Sequence, residues 1–288
     1  MNKRPLIKIA KTAGFCFGVK RAVKLANEAP AKYSGSSIST LGPIIHNPQV
    51  VNQLAEKGVK PVDLDSVPES GVVIVRSHGI TRKLARKLGE RSALKLVDAT
   101  CPFVRRAQEI VAEMSSSGYQ VIIIGEPEHP EVTGLISYGN PGNTRVVSSV
   151  KDIPTDFFSS RKPSRIALLA QTTQSQQIYN KIATALLSIK GELRCFNTIC
   201  TATSNRQSEA LQLAKECDCM IIIGGRNSAN TNRLYELSRE QADSYHIETV
   251  DELNPDWFTE KRAIGISAGA STPQWLIDEV VKKLENGD

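Results

Sequence analysis

Asp98-Ala99-Thr100-Cys101-Pro102 joins a short apolar strand, Leu94-Lys95-Leu96-Val97, to a segment in which Val104, Ala107, Ile110, Val111 and Met114 recur at helical spacing. The stretch therefore sets Cys101 at or beside a helix N-cap. Pro102 suits the first helical position, where no backbone N–H is needed, and the unpaired N–H groups of that turn, with the helix dipole, favour a thiolate. Cys101 is thus a candidate ligand or nucleophile. A small buried hydrophobe is the competing reading of any single free cysteine.

The same strand–cysteine–helix grammar occurs twice more. Leu6-Ile7-Lys8-Ile9-Ala10 reads as a strand, Gly14-Phe15-Cys16-Phe17-Gly18 as a turn, and Val19 to Asn27 as a helix with Val19, Ala22, Val23 and Ala26 on one face. Around Cys200, Leu193 to Ile199 reads as a strand and Asn205 to Glu216 as a helix with Ala210, Leu211 and Ala214 inward. Basic residues follow each cysteine: Lys20 and Arg21, Arg105 and Arg106, then Arg206.

After each cysteine come a second and a third strand–loop–helix unit. The second loops are Gly42-Pro43-Ile44-Ile45-His46-Asn47-Pro48, Gly125-Glu126-Pro127-Glu128-His129-Pro130-Glu131 and Gly224-Gly225-Arg226-Asn227-Ser228-Ala229-Asn230. Counted from the preceding cysteine, His46 lies at +30, His129 at +28 and Asn230 at +30. The third loops are Arg76-Ser77-His78-Gly79, Ala170-Gln171-Thr172-Thr173 and Ser267-Ala268-Gly269-Ala270-Ser271-Thr272-Pro273, with His78, Thr172 and Ser271 at +62, +71 and +71. The strands before them, such as Val72-Val73-Ile74-Val75 and Met220-Ile221-Ile222-Ile223, are nearly continuous apolar runs, as in parallel sheets buried on both faces. Alternation with helices makes the class α/β, with ligands beyond the carboxyl ends of the strands. The simplest architecture is three similar α/β domains in a pseudo-threefold arrangement that brings Cys16, Cys101 and Cys200 together at its centre.

Composition bounds the function. Hydrophobic residues make up 40% of the 288, enough for buried sheets, while no apolar run approaches the ~20 residues of a membrane-spanning helix. Only Met1 to Pro5 precede the first strand-like segment, which leaves no room for a secretory signal and makes a cytoplasmic location the expectation. The net charge of +6 is dispersed and aromatics are only 5%, so neither nucleic acid nor membrane is an expected partner, whereas an acidic small protein or an anionic substrate suits the surface. Six cysteines are too few for a disulfide scaffold in a chain of this size.

A closed zinc site needs a fourth ligand, and Cys195, Cys200, Cys217 and Cys219 form a loosely zinc-like group. Cys195, Cys217 and Cys219, however, read as core or near-surface thiols beside apolar strands. The three matched cysteines fit a [4Fe–4S] cluster with one iron not held by protein. Such an iron acts as a Lewis acid on a substrate oxygen and the cluster delivers electrons singly, so the natural reaction is a reduction in which an oxygen-bearing group departs. The surrounding His, Asn, Ser and Thr residues at helix N-termini suit a diphosphate. Glu131, the one acid among them, is either a proton donor or a helix first-turn acid favoured by the dipole.

The motifs together resemble the 4-hydroxy-3-methylbut-2-enyl diphosphate reductase (LytB/IspH) family: Gly14-Phe15-Cys16-Phe17-Gly18-Val19, His46-Asn47, Ser77-His78-Gly79, Asp98-Ala99-Thr100-Cys101-Pro102, His129-Pro130-Glu131-Val132, Gln171-Thr172-Thr173, Cys200 to Gln207, Asn227 to Leu234 and Gly269-Ala270-Ser271. The resemblance implies a three-domain α/β trefoil around one [4Fe–4S] cluster on Cys16, Cys101 and Cys200. It implies diphosphate binding by His46, His78, Ser228, Asn230 and Ser271, and a substrate contact at His129. Glu131 is the implied proton donor, and Thr172 positions the allylic hydroxyl and relays protons. Two electrons and two protons remove water from the allylic diphosphate to give isopentenyl and dimethylallyl diphosphate, in the non-mevalonate isoprenoid pathway, with reduced ferredoxin or flavodoxin as implied donor. Ala229 stands where the family commonly has a second serine, which leaves only its backbone N–H as a substrate contact. Glu128 and Thr201 also depart from common residues, without functional consequence. The strand before each cysteine is expected to complete the preceding domain, giving domains at 18–100, 101–199 and 200–288, the last completed by residues 1–17.

Two rivals come from other classes. Cys200 and Arg206, five residues intervening, match the spacing of a cysteine phosphatase loop, although Thr201 to Asn205 lacks the glycines that turn N–H groups inward. A non-catalytic zinc-binding module is the other. Metal content separates all three.

Overall fold

The computed structural model describes residues 4–155 and 164–286; residues 1–3, 156–163 and 287–288, which the expected domain ranges include, lie outside the described residues. The first strand, β1 (Leu6–Ile9), is followed by α1 (Phe17–Lys32), β2 (Ile38–Leu41), α2 (Pro48–Glu56), β3 (Val59–Val62), β4 (Gly71–Val75), α3 (Arg82–Gly89) and β5 (Leu94–Asp98). Next come α4 (Pro102–Ser116), β6 (Gln120–Ile124), α5 (Pro130–Tyr138), β7 (Thr144–Val147), β8 (Ser164–Ala170), α6 (Gln176–Leu186) and β9 (Gly191–Cys195). The remainder is α7 (Thr201–Glu216), β10 (Cys219–Ile223), α8 (Ala229–Arg239), β11 (Asp243–Ile247), β12 (Ala263–Ala268) and α9 (Gln274–Asn286).

These strands form three four-stranded sheets of one topology: β3-β2-β4-β5, β7-β6-β8-β9 and β11-β10-β12-β1. Every described pairing is parallel. The third sheet takes its last strand from the N-terminus, with Leu6 opposite Ala263 and Ile9 opposite Ile266, so β1 occupies the place that β5 and β9 hold in the other sheets. The repeat read from the cysteines is therefore a repeat of sheet topology, and β1, β5 and β9 each lead into one of them.

The chain forms two compact units. The first comprises Met1–Lys20, Ile45–Glu56 and Thr201–Asp288 and contains the β11-β10-β12-β1 sheet; the second comprises Arg21–Ile44 and Lys57–Cys200 and contains the other two. Within each sheet the central strands are buried throughout their apolar runs, including Val72–Val75, Val121–Ile124, Leu168–Ala170 and Cys219–Ile223. Parallel strands covered on both faces bury nonpolar side chains of both parities, which is why these segments do not alternate. Among the described residues no helix is long and apolar enough to cross a membrane.

Several boundaries differ from the sequence expectation. The strand before Cys200 is Gly191–Cys195, not 193–199, because the register with β8 ends at Cys195 opposite Leu168, and past Phe196 side-chain hydrogen bonds replace the backbone ladder. Phe196 N–H reaches Leu168 O, Thr198 Oγ1 bridges the Ala170 N–H and carbonyl, and Asn197 Oδ1 accepts the Ile199 N–H. α7 opens at Thr201, four residues earlier than expected, and buries Ala210, Leu213 and Ala214 while Leu211 is only partly covered; the spacing i, i+3, i+4 selects Leu213. α1 runs to Lys32 through Pro30, past the expected end at Asn27. Cys217 and Cys219 belong to hydrophobic core clusters of the first unit, and Cys195 is exposed.

Candidate functional site

Each matched cysteine is held by its backbone in the same way. Cys101 N–H donates to Ser77 O at 2.9 Å, Cys200 N–H to Thr172 O at 3.0 Å, and Cys16 N–H to Ala270 O at 3.2 Å. The acceptor in each case lies in the loop after the third strand of that sheet, at or beside His78, Thr172 and Ser271. Cys101 is the N-cap of α4, with Pro102 at the first helical position as the sequence indicates. None of the three is in a disulfide, and all are partly exposed, as a ligand must be.

The loops before the cysteines are fastened by charged side chains. In the second unit Arg21 donates to the carbonyls of Asp98 at 3.0 Å and Thr100 at 3.2 Å, while the Asp98 carboxylate accepts the Thr100 N–H at 2.8 Å and pairs with Arg105. Burial raises the Asp98 pKa, but the Thr100 and Arg105 hydrogen bonds outweigh it and hold the carboxyl below its ordinary value. In the first unit Glu209 accepts from the Lys11 and Thr12 N–H groups and the Thr12 hydroxyl, and Arg206 donates to Gly14 O at 2.7 Å and Ala202 O at 3.1 Å. Arg206 is 3% exposed. Its two carbonyl partners define it as a fastener of the Cys16 loop, not the phosphate-cradling arginine that its spacing from Cys200 suggests. The sequence marks Arg206 as a basic residue after a cysteine and by its phosphatase-like spacing from Cys200, neither of which indicates a fastener, and nothing there points to Glu209.

The second unit assembles His78, His129, Glu131 and Thr172. His129 is the N-cap of α5, and its Nδ1 accepts the Glu131 N–H at 3.1 Å, so a neutral ring carries its proton on Nε2. The His78 and His129 rings meet edge to face at 5.5 Å. Glu131 is 1% exposed, and Thr172 donates its N–H to Oε1 at 2.6 Å and its hydroxyl to Oε2 at 2.8 Å. Burial pushes the Glu131 pKa up to about 7 despite both Thr172 bonds. A first-turn acid serving only the helix dipole stays in water; this one is buried against Thr172, whose carbonyl accepts the Cys200 N–H. The proton-donor reading of Glu131 is the one this burial favours.

The first unit assembles His46, Ser228, Ala229, Asn230 and Ser271 beyond β10 and β12. Ser271 Oγ donates to His46 O at 3.1 Å, and a Cβ on Gly225 would stand 2.8 Å from that same carbonyl. The His46 loop thus fits against the Gly225 loop only because position 225 has no side chain. Ser228 is the N-cap of α8 and accepts the Thr231 N–H at 3.3 Å, and Ala229 is the first helical residue. Ala229 offers a backbone N–H from the first turn, where such groups lack intrahelical partners. Asn230 is 4% exposed, yet neither its Nδ2 nor its Oδ1 has a partner. A buried amide with both ends unpaired at a helix N-terminus is costly alone and suited to an anionic oxygen-rich ligand.

The comparisons with known proteins agree with one another. The family model described as LytB protein matches residues 7–285. The chain is 49% identical over 280 residues to the 4-hydroxy-3-methylbut-2-enyl diphosphate reductase of Geotalea uraniireducens (strain Rf4), covering 96% of each. It is 46% identical over 282 residues to that of Aquifex aeolicus (strain VF5), covering 97% of this chain and 96% of that protein. A solved structure of (E)-4-hydroxy-3-methyl-but-2-enyl diphosphate reductase, described as the terminal enzyme of the non-mevalonate pathway, is 44% identical with a TM-score of 0.71, covering 98% of this chain and 99% of that one. The structure of the corresponding reductase from Plasmodium falciparum is 26% identical with a TM-score of 0.87, covering 97% and 88%.

Proposed function

The chain belongs to the LytB protein family, and from that premise we propose that it is a 4-hydroxy-3-methylbut-2-enyl diphosphate reductase. It removes the allylic hydroxyl reductively and forms isopentenyl and dimethylallyl diphosphate as the last step of the non-mevalonate pathway. The observation that carries the reading is Glu131: a buried acid held by Thr172, with a pKa of about 7, beside the backbone that positions Cys200.

The donor set fits an iron–sulfur cluster. Cys16, Cys101 and Cys200 are partly exposed thiols outside any disulfide, each at the start of a helix, where the dipole favours thiolates. Three cysteines leave one iron of a [4Fe–4S] cluster without a protein ligand. When bound, the cluster supplies electrons one at a time and a Lewis-acidic iron for the hydroxyl oxygen.

The chain's own residues do the rest. His46, His78, Ser228, the Ala229 N–H, Asn230 and Ser271 bind the diphosphate, and His129 adds a substrate contact. Thr172 orients the departing hydroxyl and passes on the proton that Glu131 holds. One C–O bond breaks and its oxygen leaves as water. Two electrons enter, and the second proton ends on carbon at either end of the allylic system, which gives the two products.

Three α/β domains, 18–100, 101–199 and 200–288 completed by 1–17, carry the three cysteines in this reading. The electron donor is a reduced ferredoxin or flavodoxin, which the net charge of +6 suits, and the setting is cytoplasmic. Anaerobic purification with metal and sulfide analysis, followed by turnover of the allylic diphosphate, tests the whole. About four iron and four sulfide per chain are expected. Zinc in their place supports the binding module, and a metal-free chain that hydrolyses phosphomonoesters supports the phosphatase.

A further inference from the structure

Arg76 follows β4 directly and precedes Ser77 and His78 in the turn that holds the Cys101 backbone. Among the described residues no carboxylate pairs with its charge. The residue is partly buried, its Nε is shut off from solvent without a hydrogen-bond partner, and burial alone lowers its pKa, with no carboxylate acting on it. Buried arginines elsewhere in the chain are differently placed: Arg206 is spent on two carbonyls, and Arg91 has Glu69 and two carbonyls. Removing a guanidinium from water without compensation costs free energy, so its retention at this position calls for a compensating role.

The position is built to hold it. Gly42, at the carboxyl end of β2, has φ +67, and a Cβ there would stand 3.0 Å from Arg76 Nη1. A side chain at position 42 would be strained by the backbone and would press on the guanidinium. The Arg76 carbonyl accepts the Gly79 N–H at 3.0 Å, and the Ser77 N–H reaches Ile44 O at 3.2 Å, so both polar groups of the Arg76–Ser77 peptide, at the start of the turn that carries His78, are fixed. An unpaired planar cation therefore lies across the carboxyl ends of two neighbouring strands, where parallel sheets bind their ligands. The guanidinium fork is the group best matched to phosphate oxygens.

We infer that Arg76 is an anion-binding residue that engages the diphosphate of the substrate from the β2–β4 edge of the site, beside His78. The inference rests on the diphosphate reading above and adds a full positive charge to a set otherwise made of imidazoles, hydroxyls and amides.

Calorimetric titration of the anaerobically purified holoenzyme with inorganic pyrophosphate tests it, using Arg76→Gln, Arg76→Lys and His78→Ala beside the wild type and inorganic phosphate as a second titrant. Arg76→Gln is expected to weaken pyrophosphate binding about tenfold or more, the scale of a lost charge-assisted hydrogen bond, and phosphate binding by less. Arg76→Lys is expected to recover part of the loss. The thermal midpoint of ligand-free Arg76→Gln is expected to equal or exceed that of the wild type, since an uncompensated charge has been removed. Unchanged pyrophosphate affinity in Arg76→Gln, with affinity lost in His78→Ala, overturns the role of Arg76 and leaves the diphosphate reading standing. A lowered midpoint with equal weakening in the Gln and Lys variants makes Arg76 a structural residue and overturns the inference. A wild type that binds no pyrophosphate overturns the diphosphate reading as well.

Discussion

Replacing Glu131 by Gln removes a titration while keeping the shape, with Oε1 still accepting the Thr172 N–H and the Thr172 hydroxyl turned to accept from Nε2, so it isolates the proton. The Glu131 pKa rises from 4.5 to about 7 in the folded chain. At 1.36 kcal/mol per unit, that shift amounts to about 3 kcal/mol. Between these two values the folded chain holds more protons than the unfolded one, so the acid is penalised increasingly as pH rises through the window. The penalty is nearly absent below pH 4.5 and complete above about 7. From pH 5 to pH 8 the wild type should therefore lose about 2–3 kcal/mol of stability relative to Glu131→Gln, all other carboxylates cancelling in the difference. Denaturant unfolding of the two proteins at both pH values measures it. Activity gives the second reading: kcat of the wild type should fall on the alkaline side with a midpoint near 7, and the variant should lose about 10²–10⁴-fold at every pH. A stability difference that does not change with pH would show that Glu131 is an ordinary ionised acid, and an active Glu131→Gln would remove it from proton delivery.

Cys101→Ser should lower iron and sulfide content together with activity; a fully loaded, active variant would exclude Cys101 as a ligand. Asn230→Ala removes two unpartnered buried atoms, so the substrate KM should rise about tenfold while the ligand-free midpoint holds or increases; a lower midpoint with unchanged KM would make the amide structural. Arg206→Met frees Gly14 O and Ala202 O and should cost about 2–3 kcal/mol in denaturant unfolding, mostly by loosening the Cys16 loop. Wild-type hydrolysis of a phosphomonoester that Arg206→Met abolishes would instead revive the phosphatase.

The fold was legible because its signals are local. Continuous apolar runs such as Val121–Ile124 announce a doubly covered parallel strand, and the Cys101-Pro102 step announces a helix start. Repetition then linked Cys16, Cys101 and Cys200, although beyond a basic residue after each the side chains around them have little in common. What failed was local in a different way. The strand before Cys200 stops at Cys195 because Asn197 and Thr198 bond to nearby backbone, and nothing in an apolar–polar pattern distinguishes a ladder hydrogen bond from a side-chain one. Leu211 and Leu213 differ by two positions on one helix, and the i, i+3, i+4 spacing from Ala210 picks Leu213, which the packing buries. In the site, residue types were enough to single out the cysteines and histidines as candidates, because their chemistry is scarce. They did not suffice for Glu131, where dipole acid and proton donor have the same sequence and differ only in burial. The roles of Arg206, Glu209 and Arg76 were beyond reach, because an arginine that fastens a carbonyl, a glutamate that caps a loop and an arginine with no partner among the described residues look alike until their neighbours are known.

Three unfavourable placements lie just past the carboxyl ends of strands, in a loop or in the first turn of the helix that follows. Glu131 is buried with its pKa raised, Asn230 has an amide with neither end paired, and Arg76 has no counter-ion. Hydrophobic burial within each sheet is unaffected by them, so the sheets can bear the cost. Their signs also agree with one ligand. A neutral acid does not repel a diphosphate as a carboxylate would, a guanidinium gains a counter-charge, and the Asn230 Nδ2 gains an acceptor. In the proposed reading an anion held by Arg76 and His78 lies in the same unit as Glu131, and its negative charge further raises the Glu131 pKa, favouring the protonated form needed to release water. Substrate binding and proton retention are then coupled through charge, so pyrophosphate should move the alkaline limb of Glu131 titration to higher pH. A Glu131 titration that stays in place when pyrophosphate saturates the chain would place the acid outside the reach of the anion and break that coupling.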